Sequence, residues 1–209
     1  MNKLDYKKEF KEFYNPKRKP NFINIPPMNF IMVQGSGDPQ SEEYQNAINI
    51  LYSLSFTIKM SKMENKQPEN YFEYVVLPLE GLWWSKGGAL DLDDRENWQW
   101  ISMIRQPEFV DEKFFKWAMD EASEKKKDLD FSKAEFKEFN EGDCVQIMHI
   151  GPYSEEADSI AKIQKFIEEN NLVDESGFER KHHEVYLSDP RRAKAENLRT
   201  IIRLPVSKK

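Results

Sequence analysis

Two hydrophobic periodicities alternate along the chain, and their order repeats. Residues 29–34 (NFIMVQ) are mostly apolar and run into Gly35-Ser36-Gly37-Asp38-Pro39, which predicts a strand followed by a turn. Asp38 is the expected N-cap of the next helix, with Pro39 at its first position, where no backbone donor is needed. Tyr44, Ala47, Ile48, Leu51, Leu54 and Ile58 then recur at helical spacing and predict an amphipathic helix. A polar stretch with Pro68 ends it. Residues 71–79 and 98–106 predict strands, separated by a polar loop containing WWSKGG and LDLDDREN. A second helix is expected over 110–127, with Phe114, Trp117 and Ala118 on one face. The order then starts again. Residues 144–150 (CVQIMHI) predict a strand ending in Gly151-Pro152-Tyr153. Ser154 is the expected N-cap, and Glu155 and Glu156 stand in the first turn, where negative charge is favoured. Ala157, Ile160, Ala161 and Ile167 mark the helix, and residues 182–187 and 198–206 predict two further strands.

Three short matches fall in the same order in the two halves: MVQGSG with MHIGPY, FEYVVLP with HEVYLSDP, and MIRQP with IIRLP. The expectation is an α+β fold of two βαββ repeats, at about 29–107 and 144–206. The helix at 110–127 links them, and residues 1–28, charged and then Pro-rich, form an N-terminal arm to a domain spanning 29–209. Two such units place their sheets side by side, with helices on one face and a concave inter-repeat groove on the other.

Charge narrows the partners. The net charge is −6, with both signs mixed along the chain. Phosphate neutralisation supplies most nucleic acid affinity, so an acidic chain without a basic stripe is not expected to bind nucleic acid directly. The run Lys125-Lys126-Lys127 ends a predicted helix, where it complements the dipole. No apolar run suits a signal peptide or a bilayer span, and the single Cys144 fits a reducing cytoplasm. The expected location is therefore cytoplasmic, without membrane contact.

The 14 Phe, 8 Tyr and 5 Trp change the picture through their positions. Strand alternation puts Glu184 and Tyr186 on one face, with His183, Val185 and Leu187 on the other, and Val185 and Leu187 suit the helix-covered side. The repeat match sets Glu73 opposite Glu184 in the groove, beside Tyr71. Trp98, Trp100 and Ser102 line one face of the neighbouring strand, and Trp83-Trp84 serve either as a groove lid or as core. A carboxylate among these rings has two chemical uses. It can hold a cationic or hydrogen-bond-donating ligand whose apolar body stacks on Trp and Tyr, or it can act as general base to an attacking water. It also has a plain structural use, as a strand Glu paired with Arg203 or Arg105. His182 and His183 point to opposite faces and cannot easily share an ion, so neither a metal site nor a cofactor is expected.

The segment HHEVYLSDPRRAKAENLRTIIRLPV (182–206) resembles the C-terminal signature of the GyrI-like family. YFEYVVLPLEGLWW (71–84) and HIGPYSEE (149–156) resemble that family's first-half segment and strand-to-helix turn. The resemblance implies a duplicated βαββ fold, the SHS2 module, with a groove between the repeats. It implies that hydrophobic aromatic small molecules, often cationic, meet a buried Glu at the position of Glu184, for sequestration or detoxification. Some standalone relatives are similar to hydrolases that open the cyclopropane ring of DNA-alkylating natural products. That chemistry suits Glu184 as the base, with Tyr71 or Tyr153 donating hydrogen bonds. The family name comes from a gyrase inhibitor, which leaves a protein-binding role as a further alternative.

Overall fold

The computed structural model describes residues 3–177 and 179–209. The chain folds as an α+β protein around one large antiparallel sheet. Two short helices, α1 (Tyr6–Glu9) and α2 (Lys11–Tyr14), precede strands β1 (Asn21–Ile25) and β2 (Met28–Ser36). Next come α3 (Glu42–Met60), β3 (Leu79–Ser85), β4 (Trp98–Arg105) and α4 (Glu112–Lys125). Strands β5 (Ala134–Phe139) and β6 (Gly142–Ile150), helix α5 (Glu156–Glu169), and strands β7 (Leu172–Asp174), β8 (His182–Tyr186) and β9 (Arg199–Lys208) complete the fold. The sheet order is β1-β6-β9-β8-β3-β4-β2-β5, with β7 pairing β9. The sequence β2-α3-β3-β4 thus fills one side of the central β3–β8 pair, and β6-α5-β8-β9 fills the other.

The sheet cannot be flat. β1 and β2 lie six strand spacings apart, roughly 29 Å in a flat sheet. Yet Ile25 and Met28 are three residues apart and can be separated by only about 11 Å. The β5–β6 connection makes the same demand, because Phe139 pairs with Met28 and Gly142 pairs with Ile25. The sheet therefore curls until its opposite edges meet. The inside of the curl carries Phe30, Met32, Leu82 and Met103 as one apolar cluster, and Phe139 from the edge reaches His183 in the central strand, ring centroids 6.3 Å apart. The N-terminal segment closes over this concave face: Arg203 donates to the Phe13 carbonyl at 2.6 Å and Gln146 to that of Glu12 at 2.8 Å.

Helices α3 and α5 pack on the other face. Ile163 and Ile167 of α5 join Val145, Ile147, Ile202 and Leu204. Tyr44 of α3 packs edge-on against Trp100, centroids 5.0 Å apart, and at 5.6 Å from Trp83. Gly35 makes the Trp100 packing possible, since a Cβ there would sit 2.3 Å from the indole.

Several elements differ from expectation. Helix α3 starts at Glu42, capped by Ser41, which accepts from the Tyr44 amide at 3.3 Å; Asp38 instead accepts from Gln40 within the preceding turn. Residues 71–78 are not a sheet strand. Pro78 lacks an amide donor, and the segment makes only an isolated bridge, from Tyr74 to Leu4. The sheet uses Leu79–Ser85, so Trp83-Trp84 lie in a central strand rather than a loop. Strands β1, β5 and β7 were not foreseen, and β1 lies within the segment read as an arm. The largest correction concerns faces. Glu184 pairs with Gly81 and Ile202, so it points to the helix side, not to the concave face; Val185 takes the concave side instead.

Candidate functional site

Strand β8 is central, and both its faces are covered: His182, His183, Glu184 and Val185 are all buried. On the helix side, Glu184 is held at both oxygens. Tyr186 donates its hydroxyl to Oε2 at 2.7 Å, and His182 Nε2 lies 2.8 Å from Oε1. Trp83 donates its indole N–H to the Tyr186 hydroxyl at 2.8 Å. Gly81, directly across from Glu184, leaves room for this arrangement, because a Cβ there would lie 2.6 Å from the indole nitrogen and 3.1 Å from the tyrosine oxygen. The result is a fixed chain, Trp83 to Tyr186 to Glu184 to His182, on which the carboxylate cannot turn freely.

Aromatic rings surround the chain. Tyr153, 40% exposed, meets Tyr186 edge-on at 6.0 Å and stands at the solvent side. Trp98 meets Trp83 edge-on at 5.5 Å, and Trp100 lies beneath with Tyr44 across it. Burial pushes the Tyr153 hydroxyl up to about 12 and the buried Tyr44 and Tyr186 hydroxyls higher still, so all three remain proton donors.

A second carboxyl stands in this cluster. Glu156, in the first turn of α5, is buried, and its Oε1 has no hydrogen-bond partner among the described residues. Burial, and then the charge of Glu184, raise its pKa to about 10, against a hydrogen bond to Thr200 that lowers it. Glu156 is therefore a neutral carboxylic acid at neutral pH. Unfolded, it would ionise in the ordinary carboxylate range, so the unfolded chain holds fewer protons than the native one between that range and about pH 10. The stability contribution of Glu156 falls as pH rises through this window. Glu156→Gln is expected to remove the fall: relative to the parent, the variant gains stability steadily from mildly acidic to alkaline pH. Denaturant melts across that range check it, and parallel curves for the two proteins would contradict it.

The expected site residues separate into two groups. Glu184, Tyr186, Tyr153, Trp83, Trp98 and Trp100 come together on the helix side. Glu73, Tyr71 and Trp84 do not. Glu73 lies outside the sheet in an ion pair with Lys62, and its supposed place across from Glu184 is taken by Gly81. Tyr71 donates to the Lys59 carbonyl at 2.9 Å and packs on Phe109. Trp84 follows Trp83 on the strand and turns to the other face, beneath the Lys181 ammonium. Glu156, Tyr44 and His182 were not among the expected site residues. The sequence signals that link any of them to the site are strand alternation, which sets His182 on the face of Glu184, and the spacing from Tyr153 to Glu156, one helical turn.

The concave face holds a separate buried cluster. His183 lies with Nδ1 2.8 Å from Glu141 and Nε2 3.0 Å from Glu80, and Arg203 pairs with Glu141 at 3.1 Å. Burial opposes charge on His183, but the two carboxylates outweigh it and raise the pKa to about 9. Burial likewise pushes Glu141 up, and the His183 and Arg203 charges overcome it, holding the carboxyl down at about 2. Beside this cluster a small hollow, with space for roughly one water molecule, is lined by Phe13, Tyr14, Ile25, Phe139, Glu80 and His183. Arg203 thus serves Glu141, and the pairing of Glu184 with Arg203 or Arg105 does not occur: Arg105 reaches Tyr14 and Glu108.

Comparison with known proteins places the chain. Two solved structures from Listeria innocua are similar over nearly its whole length. One, an uncharacterized conserved protein, is 53% identical, with a TM-score of 0.94, over 98% of this chain and 100% of its own. The other, described as a hydrolase, is 50% identical, with a TM-score of 0.91, over 98% and 100%. The C-terminal domain of EcmrR shares the fold alone, at 13% identity and a TM-score of 0.60 over 91% of this chain and 98% of that domain. No curated protein matches the sequence. Among the described residues, no helix is long and apolar enough to cross a membrane. The model of the GyrI-like small molecule binding domain matches residues 18–207, and the chain belongs to that family.

Proposed function

We propose that the helix-side face of β3 and β8, between α3 and α5, is a groove that takes a bulky aromatic small molecule and hydrolyses it, with Glu184 as general base to the attacking water. The carrying observation is the fixed Glu184 carboxylate, held by Tyr186 and His182 among Trp83, Trp98 and Tyr153. A base must be oriented before it can act in a transition state, and aromatic walls bury a planar substrate while excluding water. The half-identical structure described as a hydrolase supports the same reading. The substrate class is a strained-ring alkylator, such as a cyclopropane-bearing DNA-alkylating compound, and the role is detoxification in the cytoplasm. The two β-α-β-β segments flanking the β3–β8 pair are the halves of an ancestral duplication.

A second reading is sequestration of aromatic cations without chemistry, favoured by the negative Glu184 beside tyrosine and tryptophan faces, where cation–π contacts add about 0.5–2 kcal/mol each. One experiment separates the two. Rhodamines, acridines and a cyclopropane-bearing alkylator are titrated against Trp fluorescence, and the alkylator's fate is followed by mass spectrometry. Saturable quenching by all three is expected at micromolar concentration, with the alkylator gaining the mass of one water only when protein is present. Quenching without that product leaves sequestration; no saturable quenching removes both readings.

A further inference from the structure

We infer that Glu156 is the acid partner of Glu184, entering the groove protonated and giving its proton to the atom that gains negative charge as the substrate bond breaks. The inference rests on the hydrolytic reading above. Its footing is geometric. Glu156 is 5% exposed, and its Oε1 is buried with no partner among the described residues, an arrangement that costs free energy unless a ligand supplies the missing contact. The groups facing it come from three directions. Glu184 and Tyr186 on β8 and Tyr153 in the turn that leads into α5 interact with it electrostatically, and Thr200 on β9 donates a hydrogen bond to it. None of these is cationic, and His182, the imidazole of the cluster, is engaged with Glu184 Oε1 at 2.8 Å. His149 of β6, nearby, is occupied with the Ser159 hydroxyl and the Pro152 carbonyl. Two carboxyls in one buried site cannot both ionise cheaply, and the pair divides into one base and one acid. The raised pKa of Glu156 agrees with that division.

The step balances. Glu184 removes a proton from water, and the water oxygen bonds to the strained-ring carbon. The ring carbon–carbon bond breaks, and its electron pair passes into the conjugated system of the substrate, ending on a carbonyl oxygen that takes the Glu156 proton. The product has gained one water. Glu184 is left protonated and Glu156 ionised, and proton exchange with solvent restores both. The substrate class this requires is an electrophile whose leaving electrons settle on an atom that protonation stabilises. An alkyl halide, whose leaving ion needs no proton, does not use the acid.

The test compares single-turnover ring opening of a cyclopropane-bearing alkylator by the parent, Glu156→Gln and Glu184→Gln, from mildly acidic to alkaline pH. Glu156→Gln retains the shape and removes the proton. It is expected to slow ring opening roughly 10²–10⁴-fold near neutral pH. The parent rate should also fall at alkaline pH as Glu156 ionises, and the variant should lack that fall. If Glu156→Gln keeps the parent rate and alkaline limb while Glu184→Gln is inactive, the acid role is overturned and the hydrolytic reading stands. If the parent shows no turnover, or Glu184→Gln matches it, the hydrolytic reading fails and this inference with it. Hydrolysis of a benzyl halide probe, in which water displaces the halide, serves as control: equal rates for parent and Glu156→Gln support the acid role, and slowing by the variant as large as that for ring opening contradicts it.

Discussion

Glu184→Gln is expected to reduce ring opening roughly 10²–10⁴-fold while leaving the alkylator's affinity within a few-fold of the parent. The glutamine is nearly isosteric and can still accept from Tyr186, so the groove keeps its shape. What it loses is the ability to take a proton from water, which matters only in the transition state. Planar cations respond differently. They meet the charge in the ground state, so their binding should weaken by about 1.5–3 kcal/mol, the range for a hydrogen bond to a charged group, while neutral aromatics of the same size are little affected. Fluorescence titration gives the affinities, and product mass gives the rates. Parent-like behaviour in both would make Glu184 a structural residue.

Arg203→Met is expected to have the largest effect on stability, about 3–5 kcal/mol, because it breaks a buried ion pair from one side only. Arg203 is 3% exposed and binds Glu141, Gln146 and the Phe13 carbonyl, so its removal leaves Glu141 with His183 as its remaining charged partner and removes one of the ties of the N-terminal segment to the concave face. The pH dependence of the parent should carry the same signature. His183 titrates near 9 in the fold against 6.5 unfolded, so its contribution is complete below about pH 6.5 and is lost as pH rises through about 9. Glu141 titrates at about 2 against 4.5, so its contribution is complete above about pH 4.5 and is lost as pH falls toward 2. In urea melts, Arg203→Met should be destabilised most between those limits, and Arg203→Lys, which keeps the charge, should lose less. Equal and small losses for both would show that the cluster carries little of the fold's stability.

The alternation of β8 was legible: Glu184 and Tyr186 share a face because strand side chains alternate, and the fold keeps that pairing. Which face they share was not legible. Apolar Val185 marked one side as core, but in a curled sheet both faces of the central strand are buried, and hydrophobic pattern cannot then separate inside from outside. The curl itself arises because the short connections 25–28 and 139–142 join strands at opposite ends of the sheet order, an order set by pairings remote in sequence that carry no local signal. Glu155 and Glu156 illustrate the same limit at one residue's resolution. Both suit the first turn of a helix by charge, and only the docking of α5 on the sheet leaves Glu155 exposed and Glu156 buried. Glu73 was placed by matching FEYVVLP to HEVYLSDP; the match was real in letters but out of step with the sheet, where LEGLWWS is the paired strand.

The proposed function requires the ligand to enter on the helix side of the sheet, not on the concave face. A crystal structure of the protein with a rhodamine tests this directly. The account predicts the planar cation stacked against Trp83, Trp98 or Tyr153, with its charge over the Glu184 carboxylate and Glu156 alongside. A dye seated instead in the hollow beside Glu80 and His183, with the Trp83–Tyr186–Glu184 chain untouched, would contradict it.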